Sequence, residues 1–470
     1  MRISINNFKS IGSIEKYQLL PLTILSGTNS TGKSSFIQLL LLLKQTIELD
    51  SAQFPLYLDG KLFPVRQYSD ILNSRANGAK LKVSLFFDKS ELKRYEGFPE
   101  IRLYNVFENY DLSISFEFDT KENNIYISFF EAKFLIPDST SKPEQFVKLI
   151  NTSKGYDIET NVAVFNNENL YEKQGQYQIK SISYSAFIPT SYEIEYDDSK
   201  GNVVKEVLKL DGIKTILKDF LTSLNYVGPS REEPKEEYRR VGKHTTVGTR
   251  GEYTAEVLEA LASQKIIYWI VEDITESVQF VKQEGTFMEA VKYWICEKFK
   301  LCADIYSKKL SDSYIIYVKN LMGVESSIRH VGFGISQILP IIIEGLRLSA
   351  GETLIIEQPE VHLHPKLQSH LQDFMICMVQ QGKKVIVETH SDHFITRLRR
   401  RIAEDSSNLL KDKIALTFIE ASSSDLIFRN INIDDTGILD YFPEDFIEKP
   451  DVEIRAILKA QMNKRLNSKK

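Results

Sequence analysis

The stretch Gly27-Thr28-Asn29-Ser30-Thr31-Gly32-Lys33-Ser34 fits the pattern G-x-x-x-x-G-K-[ST] of a phosphate-binding loop. The apolar residues 22–25 before it predict a buried strand, and residues 36–43 after it predict a buried helix. A strand, a glycine loop and a helix in this order aim backbone N–H groups and a helix N-terminus at a phosphate. We expect Lys33 to contact the outer phosphates of a nucleotide and the Ser34 hydroxyl to bind Mg²⁺. The residues expected to line the nucleotide here are Gly27, Asn29, Ser30, Thr31, Gly32, Lys33, Ser34 and Ser35.

Composition narrows the class of protein. The 470 residues carry a formal charge of −5, which argues against nucleic-acid binding over the whole surface but leaves room for a local basic patch. Cys296, Cys302 and Cys377 form no CxxC pair and favour a reducing compartment over a disulfide framework. The start MRISINNFKS lacks the apolar core of a signal peptide, and no apolar run is long enough to span a bilayer. We therefore expect a cytoplasmic protein without a membrane partner.

The hydrophobic pattern changes along the chain and predicts four segments. Residues 1–80 hold the phosphate loop, and residues 81–205 are β-rich, with a hairpin over 112–129. Residues 206–315 read as helical, with helices over 252–274 and 287–299. Residues 316–470 return to strands (353–356, 384–387, 414–419) separated by helices, which is typical of an α/β core. We predict an α/β fold whose mixed, mainly parallel core sheet is built from both chain ends, with a large β-rich and helical insertion between them.

An acidic cluster, Glu357-Gln358-Pro359-Glu360, follows the strand at 353–356. Glu357 is placed to hold a nucleotide-bound Mg²⁺. The next position should carry the base that orients or deprotonates the attacking water, but Gln358 is neutral and cannot take a proton. A general base contributes about 10²- to 10⁴-fold to a rate, so unaided Gln358 predicts slow hydrolysis. Glu360 is the carboxylate that could substitute.

Histidines are concentrated after the strands of the last third of the chain. His390 follows the strand at 384–387, at the sheet edge where ligands collect in open α/β folds, and is a candidate γ-phosphate sensor. His362, His364, His390 and His393 could in principle bind a transition metal. The His362–His364 pair fits a turn entering a helix equally well.

Three further segments have a functional and a structural interpretation. In the glycine–serine segment 332–337, Ser336 could cap the following helix, whether or not it has another role. Arg231 lies in a Gly-Pro turn; its planar fork suits phosphate, but a surface turn explains it too. The arginines at 397–401 form either a backbone-binding patch for nucleic acid or a solvated helix face.

Taken together, residues 7–10, 27–35, 332–337, 357–365 and 388–393 resemble the heads of ABC-type ATPases, which include SMC and double-strand-break-repair proteins. The set most resembles a bacterial group of AAA ATPases related to the overcoming-lysogenization-defect (OLD) proteins. The resemblance implies a head-to-tail homodimer with two ATP molecules between the subunits. It assigns Ser336 and Gln337 to the partner's nucleotide, Glu357 to Mg²⁺, and His390 as the switch histidine. Gln358 departs from the usual catalytic glutamate, and Gln67 is a candidate for the Q-loop.

Many OLD relatives carry a nuclease after the ATPase, but the segment after Arg401 is too short for one. We therefore expect a separate effector protein, and a role as the sensor or regulatory half of an anti-phage or toxin-like system. One alternative is an SMC-like or repair-like head that acts on DNA itself. Another is a metal-dependent nuclease that uses the histidine and glutamate cluster.

Overall fold

The computed structural model describes residues 1–27, 32–75, 80–95, 111–122, 124–135, 145–152, 155–160, 177–197, 201–240, 242–274, 277–422 and 426–441. The strands of these residues are β1 (Arg2–Phe8), β2 (Ile11–Gln18), β3 (Leu22–Gly27), β4 (Leu81–Phe87), β5 (Asp111–Lys121), β6 (Asn124–Leu135), β7 (Gln145–Thr152), β8 (Gly155–Thr160), β9 (Tyr177–Ser185), β10 (Ile188–Asp197), β11 (Val203–Lys209), β12 (Leu224–Val227), β13 (Tyr238–Arg239), β14 (Lys265–Ile274), β15 (Ser277–Thr286), β16 (Asp304–Lys309), β17 (Ser313–Lys319), β18 (Glu325–Ser327), β19 (Thr353–Glu357), β20 (Lys384–Glu388), β21 (Ile414–Ala421) and β22 (Leu426–Ile431). The α-helices are α1 (Lys33–Leu49), α2 (Lys89–Leu92), α3 (Asp211–Thr222), α4 (Thr254–Leu261), α5 (Phe287–Lys292), α6 (Phe333–Arg347), α7 (Pro365–Gln380) and α8 (Asp392–Ala403).

A six-stranded sheet with the order β12-β19-β20-β3-β21-β22 is the centre of the fold. Its first five strands are parallel, and β22 alone runs antiparallel to its neighbour. Strand β3 comes from the start of the chain, whereas β19, β20 and β21 come from its last third. The predicted α/β class is therefore confirmed, with a mixed, mainly parallel core sheet built from both chain ends.

Both faces of this sheet are buried, as the apolar runs of its strands predicted. In β19, Leu354 and Ile356 face one hydrophobic core while Ile355 faces another. In β3, Ile24 and Leu25 divide in the same way. Because side chains alternate along a strand, each core strand contributes to both layers. The sheet is thus held rigidly between two cores, and its carboxyl edge is a fixed platform.

The β-rich segment is joined to the start of the chain. The predicted hairpin is present as β5 paired with β6. These strands belong to a seven-stranded sheet with the order β2-β1-β4-β5-β6-β7-β8, in which β4 pairs directly with β1. The first strands of the chain and the β-rich segment therefore share one sheet. The position of the boundary expected near residue 80 remains a prediction.

The helix predicted over residues 252–274 is wrong in its second half. Helix α4 ends at Leu261, and residues 265–274 form strand β14, which pairs with β15 in a long hairpin. The run Ile266-Ile267-Tyr268-Trp269-Ile270-Val271 is β-branched and aromatic, and such side chains favour a pleated surface over a helix. The helix expected at 287–299 is present as α5, continued by a π-helical turn over Tyr293–Lys298.

No helix among the described residues is both long and apolar enough to cross a membrane.

Candidate functional site

The carboxyl ends of three adjacent parallel strands meet at one edge of the core sheet. Glu357 ends β19, Glu388 ends β20 and Gly27 ends β3. Glu357 and Glu388 are direct register partners, and Glu388 in turn lies beside Leu25. In open α/β sheets ligands bind outside this edge. The topology therefore brings the two acidic segments and the phosphate loop of the sequence to one place.

Both glycines that flank the loop are required by geometry. Gly27 has φ of 145°, and a Cβ there would collide with the carbonyl oxygen of Ile419 on β21. Gly32 has φ of 78°, and a Cβ would collide with the side chains of Ser10 and Leu426. Only glycine tolerates such conformations with neighbours so close. The other residues predicted in this loop, Asn29, Ser30 and Thr31, lie outside the described residues.

Three consecutive side chains at the start of α1 point to different partners. The Lys33 ammonium donates to the Gly27 carbonyl at 3.2 Å, and burial lowers its pKa although Glu388 and Glu360 oppose the shift. The Ser34 hydroxyl donates to Oε1 of Glu388 at 3.0 Å. The Ser35 hydroxyl instead shares a hydrogen bond with that of Ser10 at 3.0 Å. Lys33 and Ser34 thus lie at the acidic edge of the sheet, while Ser35 ties α1 to the turn after β1.

Glu357 is held from the neighbouring strand β12. The Tyr226 hydroxyl donates to its Oε1 at 2.7 Å. Burial raises the pKa of Glu357, and the tyrosine hydrogen bond opposes that rise. Glu357 is buried, with 8% of its surface exposed. Sequence reasoning gave Tyr226 no role; its place in β12, parallel to β19, is what brings it to Glu357.

Arg231 lies beneath the acidic segment and is 6% exposed. Its Nη2 donates to the carbonyl oxygens of Glu357 at 3.1 Å and Gln358 at 3.3 Å. Its Nε and Nη1 have no hydrogen-bond partner, and burial lowers the pKa of the guanidinium to about 10. Arg231 therefore supports the backbone of the acidic segment, and the surface-turn interpretation of this residue is wrong. Its phosphate contact remains a prediction.

Gln358 occupies a fixed and unusual conformation immediately after β19. Its φ of 44° lies in the left-handed region, which is uncommon outside glycine. Its backbone N–H donates to the Glu388 carbonyl at 2.8 Å, and its own carbonyl accepts from Arg231. The turn that follows β19 is thus fastened on both sides. The side chain at this position is a neutral amide, which has no proton-accepting carboxylate.

Glu360 is fastened to the loop after β20. Its Oε1 accepts the His390 backbone N–H at 2.7 Å, and its Oε2 accepts the Thr389 hydroxyl at 2.9 Å. Burial raises the pKa of Glu360. Burial and the nearby Lys33 charge lower the pKa of His390, which favours its neutral form near pH 7. The structure thus brings together Glu360 and His390, which the sequence placed in separate segments.

Glu388, like Tyr226, is a site residue to which the sequence pattern gives no role. It is 2% exposed, its Oε1 accepts from Ser34, and its Oε2 has no hydrogen-bond partner. Burial, and then the neighbouring Glu357 charge, raise its pKa to about 7. The available signal was its position: it is the last residue of a strand, in register with Glu357. The sequence does not show the register between β19 and β20, so it does not show that Glu388 lies beside Glu357.

The glycine–serine segment begins helix α6, but the expected serine cap is wrong. The N-cap is Gly332, without a side-chain hydrogen bond, and Ser336 lies inside the helix with its hydroxyl donating to the Phe333 carbonyl at 2.8 Å. Ser336 and Gln337 are 7% and 3% exposed, whereas Phe333 is 52% exposed. The exposed start of α6 is the part of the segment that another molecule can reach. The contact of Ser336 and Gln337 with a partner's nucleotide remains a prediction.

Two other sequence candidates, Gln67 and His364, make local hydrogen bonds, and the Q-loop role of Gln67 remains a prediction. The Gln67 amide donates to Asp70 at 3.0 Å in an exposed turn. His364 accepts the Lys366 N–H at 3.3 Å at the start of α7, as the turn interpretation requires. Within the described parts of the chain, no group of three or more His, Cys, Asp or Glu side chains could hold a metal ion.

The arginine cluster is largely internal. Arg401 is fully buried and contacts both carboxylate oxygens of Asp373, at 2.7 and 3.0 Å. Arg397 reaches the same carboxylate at 2.9 Å. Arg399 donates to the Gly437 carbonyl at 2.7 Å, and Arg400 pairs with Glu404 on the surface. Two of the four arginines therefore neutralise a buried aspartate, which neither sequence interpretation foresaw.

Comparison with known families agrees with this site. The model of the AAA ATPase domain family matches residues 1–395, and the chain therefore belongs to that family. The predicted ATPase class is supported by the same match. No curated protein sequence matches the chain significantly.

Solved structures that resemble the chain include two SMC heads. The SMC head domain from Thermotoga maritima shows 10% sequence identity and a TM-score of 0.35, and the match covers 92% of this chain and 100% of that one. An SMC head bound to the C-terminal winged-helix domain of ScpA shows 10% identity and a TM-score of 0.39, over 92% of this chain and 97% of that one.

Proposed function

We propose that the protein is an ABC-type ATPase that binds Mg-ATP between two subunits and hydrolyses it slowly to control a separate effector protein. It acts in the cytoplasm as the sensor or regulatory component of an anti-phage or toxin-like system of the OLD-like group. The observation that carries the ATPase part is the convergence of Lys33, Ser34, Glu357 and His390 at one edge of the core sheet. The family match over residues 1–395 supports it.

The residues present fit ATP and Mg²⁺. Lys33 would contact the outer phosphates, and the Ser34 hydroxyl with the Glu357 carboxylate would hold Mg²⁺, which prefers oxygen ligands. Bound Mg²⁺ would neutralise phosphate charge and polarise the scissile bond. His390 is neutral near pH 7, so it would donate a hydrogen bond to the γ-phosphate rather than a full charge. Lys33, Ser34 and Glu357 lie at the ends of a helix and a strand, and the His390 backbone is fastened by Glu360, which favours a preorganised site.

Slow hydrolysis follows from the residues around the position where water would be activated. Gln358 orients water but accepts no proton, and Glu360 already accepts two hydrogen bonds from the loop after β20. The loss of a general base costs about 10²- to 10⁴-fold in rate. A long-lived ATP state suits a regulator, because binding shifts the population of closed dimers for as long as ATP persists.

The first test measures ATP binding and steady-state hydrolysis by the purified chain, with Lys33→Ala as the blank. We expect ATP binding that Lys33→Ala abolishes, together with turnover far below one per second. Sedimentation with and without Mg-ATP then tests the homodimer, which should form only with nucleotide. Absence of both binding and turnover in the wild-type chain contradicts the proposal.

An SMC-like head that acts directly on DNA is the alternative. The burial of Arg397 and Arg401 against Asp373 removes two of the cations that the sequence offered for phosphate contact. A DNA-binding titration at several salt concentrations separates the two roles, since phosphate contacts produce a steep salt dependence. Tight, strongly salt-dependent binding favours the alternative.

A further inference from the structure

We propose that Glu388 is a second carboxylate of the Mg²⁺ site, acting with Ser34 and Glu357 when nucleotide is bound. The proposal rests on the ATP-binding function above and adds a residue to it. Glu388 ends β20, which lies between the Glu357 strand and the strand that leads into the phosphate loop.

The contact with Ser34 is the first supporting observation. The Ser34 hydroxyl, expected to bind Mg²⁺, donates to Oε1 of Glu388 at 3.0 Å. A cation bound to the Ser34 oxygen would therefore lie next to the Glu388 carboxylate. The hydroxyl can rotate its proton away from a cation while its oxygen lone pairs remain available.

The second observation is an unpaired buried oxygen. Oε2 of Glu388 has no hydrogen-bond partner although the residue is only 2% exposed. Burying a carboxylate without full hydrogen bonding or a paired cation is costly. The charge of the nearby Lys33 ammonium acts on Glu388, but Lys33 donates a hydrogen bond to the Gly27 carbonyl. The Oε2 atom of Glu388 is therefore available to bind a cation.

The chemistry of the donor set selects the cation. Mg²⁺ is bound through one or two carboxylates together with substrate phosphates and water, rather than by a cage of protein ligands. A preformed cluster of three acidic or imidazole groups is not needed, and the described residues contain none. Ser34, Glu357 and Glu388 supply oxygen donors only, and the nucleotide completes the site.

The neutral amide of Gln358 gives a reason why the site would use the carboxylate of Glu388. The ABC-type pattern has a second carboxylate directly after the one that matches Glu357, and here that position is Gln358. Glu388 returns a negative charge to the same sheet edge, one strand closer to the phosphate loop.

The test separates nucleotide binding from its dependence on Mg²⁺. Binding of a fluorescent ATP analogue to the full chain is titrated in EDTA and in Mg²⁺, and the ratio of the two Kd values is the magnesium effect. We expect Glu388→Gln to bind the analogue in EDTA as the wild-type chain does. Its magnesium effect should be at least about tenfold smaller than that of the wild-type chain, a loss typical of residues around a metal. Mn²⁺ in place of Mg²⁺ gives a second readout, since its electron paramagnetic resonance signal should report weaker Mn²⁺ binding in the variant.

Glu352→Gln is the matched control. Glu352 directly precedes β19 at the opposite edge of the same sheet, where it accepts the Ser349 N–H at 2.6 Å. The Glu352→Gln variant should keep the full magnesium effect. Glu388→Asp preserves the charge on a shorter side chain and should also reduce the effect; it decides the question if Glu388→Gln does not fold.

The outcomes are distinguishable. If the wild-type chain binds no nucleotide under either condition, the proposed ATP function fails and the inference fails with it. If the wild-type chain binds with a magnesium effect that Glu388→Gln and Glu388→Asp retain in full, the ATP function stands and the role of Glu388 is overturned. A loss confined to the Mg²⁺ titration supports the inference.

Discussion

The Glu360 carboxylate accepts the backbone N–H of His390 at 2.7 Å, and so links the turn after β19 to the loop after β20. Its second oxygen accepts the Thr389 hydroxyl at 2.9 Å. Any shift of one loop is thus transmitted to the other. These two hydrogen bonds stabilise the ionised form of Glu360 and oppose the rise in its pKa that burial causes, which weakens it as a base.

Glu360→Ala should destabilise the protein, because the His390 N–H and the Thr389 hydroxyl both lose their acceptor. An unsatisfied buried donor costs about 1–3 kcal/mol. Urea unfolding should show a loss of this size, with a smaller loss for Glu360→Gln, which retains one acceptor oxygen. Equal stability of Glu360→Ala and wild type would show that the link does not persist in solution.

Ser34→Ala and Ser35→Ala should differ although the residues are adjacent. Ser34 lies beside Glu388, whereas Ser35 pairs with Ser10. Ser34→Ala should weaken ATP binding in Mg²⁺ but not in EDTA. The sequence predicts that Ser35 lines the nucleotide, but its hydroxyl pairs with Ser10, so Ser35→Ala should leave nucleotide affinity unchanged. It should lower the free energy of unfolding by about 1 kcal/mol, the usual contribution of a hydrogen bond. The reverse pattern in the two titrations would contradict the assignment of Ser34 to the metal.

Asp373→Asn should be destabilising, because it removes the buried carboxylate that Arg401 and Arg397 share. Arg401 keeps its ion pairs with Asp273 and Glu404, so the loss should lie near the lower end of the usual range. Removing one partner of a buried ion pair costs about 3–5 kcal/mol. Arg400→Gln is the control, since this side chain is exposed and surface pairs contribute about 0–1 kcal/mol. Thermal or urea unfolding measures both. A loss below about 1 kcal/mol for Asp373→Asn would mean that solvent reaches the arginines.

Lys383 should make stability depend on pH. Its ammonium donates to the carbonyls of Gly345 at 2.8 Å and Leu346 at 3.1 Å near the end of α6. Burial lowers its pKa to about 7, and nearby Glu352 opposes the shift more than Arg347 adds to it. Between pH 7 and about 10.4 the unfolded chain then binds more protons than the folded one, so this group makes stability rise with pH.

The comparison with Lys383→Met isolates that contribution. Relative to the variant, the wild-type free energy of unfolding should rise by up to about 1.4 kcal/mol per pH unit between pH 7 and 10, and stay level below pH 7. Urea unfolding at several pH values measures the difference. A constant difference across this range would show that the buried amine titrates as an exposed lysine does.

The local sequence pattern was sufficient to predict those parts of the fold that residues close together in the chain decide. The glycines at 27 and 32, the apolar strand before them and the buried helix after them specify the strand–loop–helix unit within about 20 residues. The same holds for β19, α7 and β20, and hence for the α/β class. It failed at β14, where a helix ending at Leu261 is followed closely by a strand of similar hydrophobicity.

The sequence by itself determined which segments are candidates to carry the chemistry: the phosphate loop, Glu357 and His390. Only the tertiary structure decided how they are connected, because register between parallel strands is set by packing over hundreds of residues. Strand order placed Glu388 between Glu357 and the phosphate loop, put Tyr226 on the Glu357 carboxylate, and closed Glu360 onto His390. Burial then turned Arg397 and Arg401 from a candidate surface patch into partners of Asp373. These contacts join residues far apart in the chain, so no local pattern contains them.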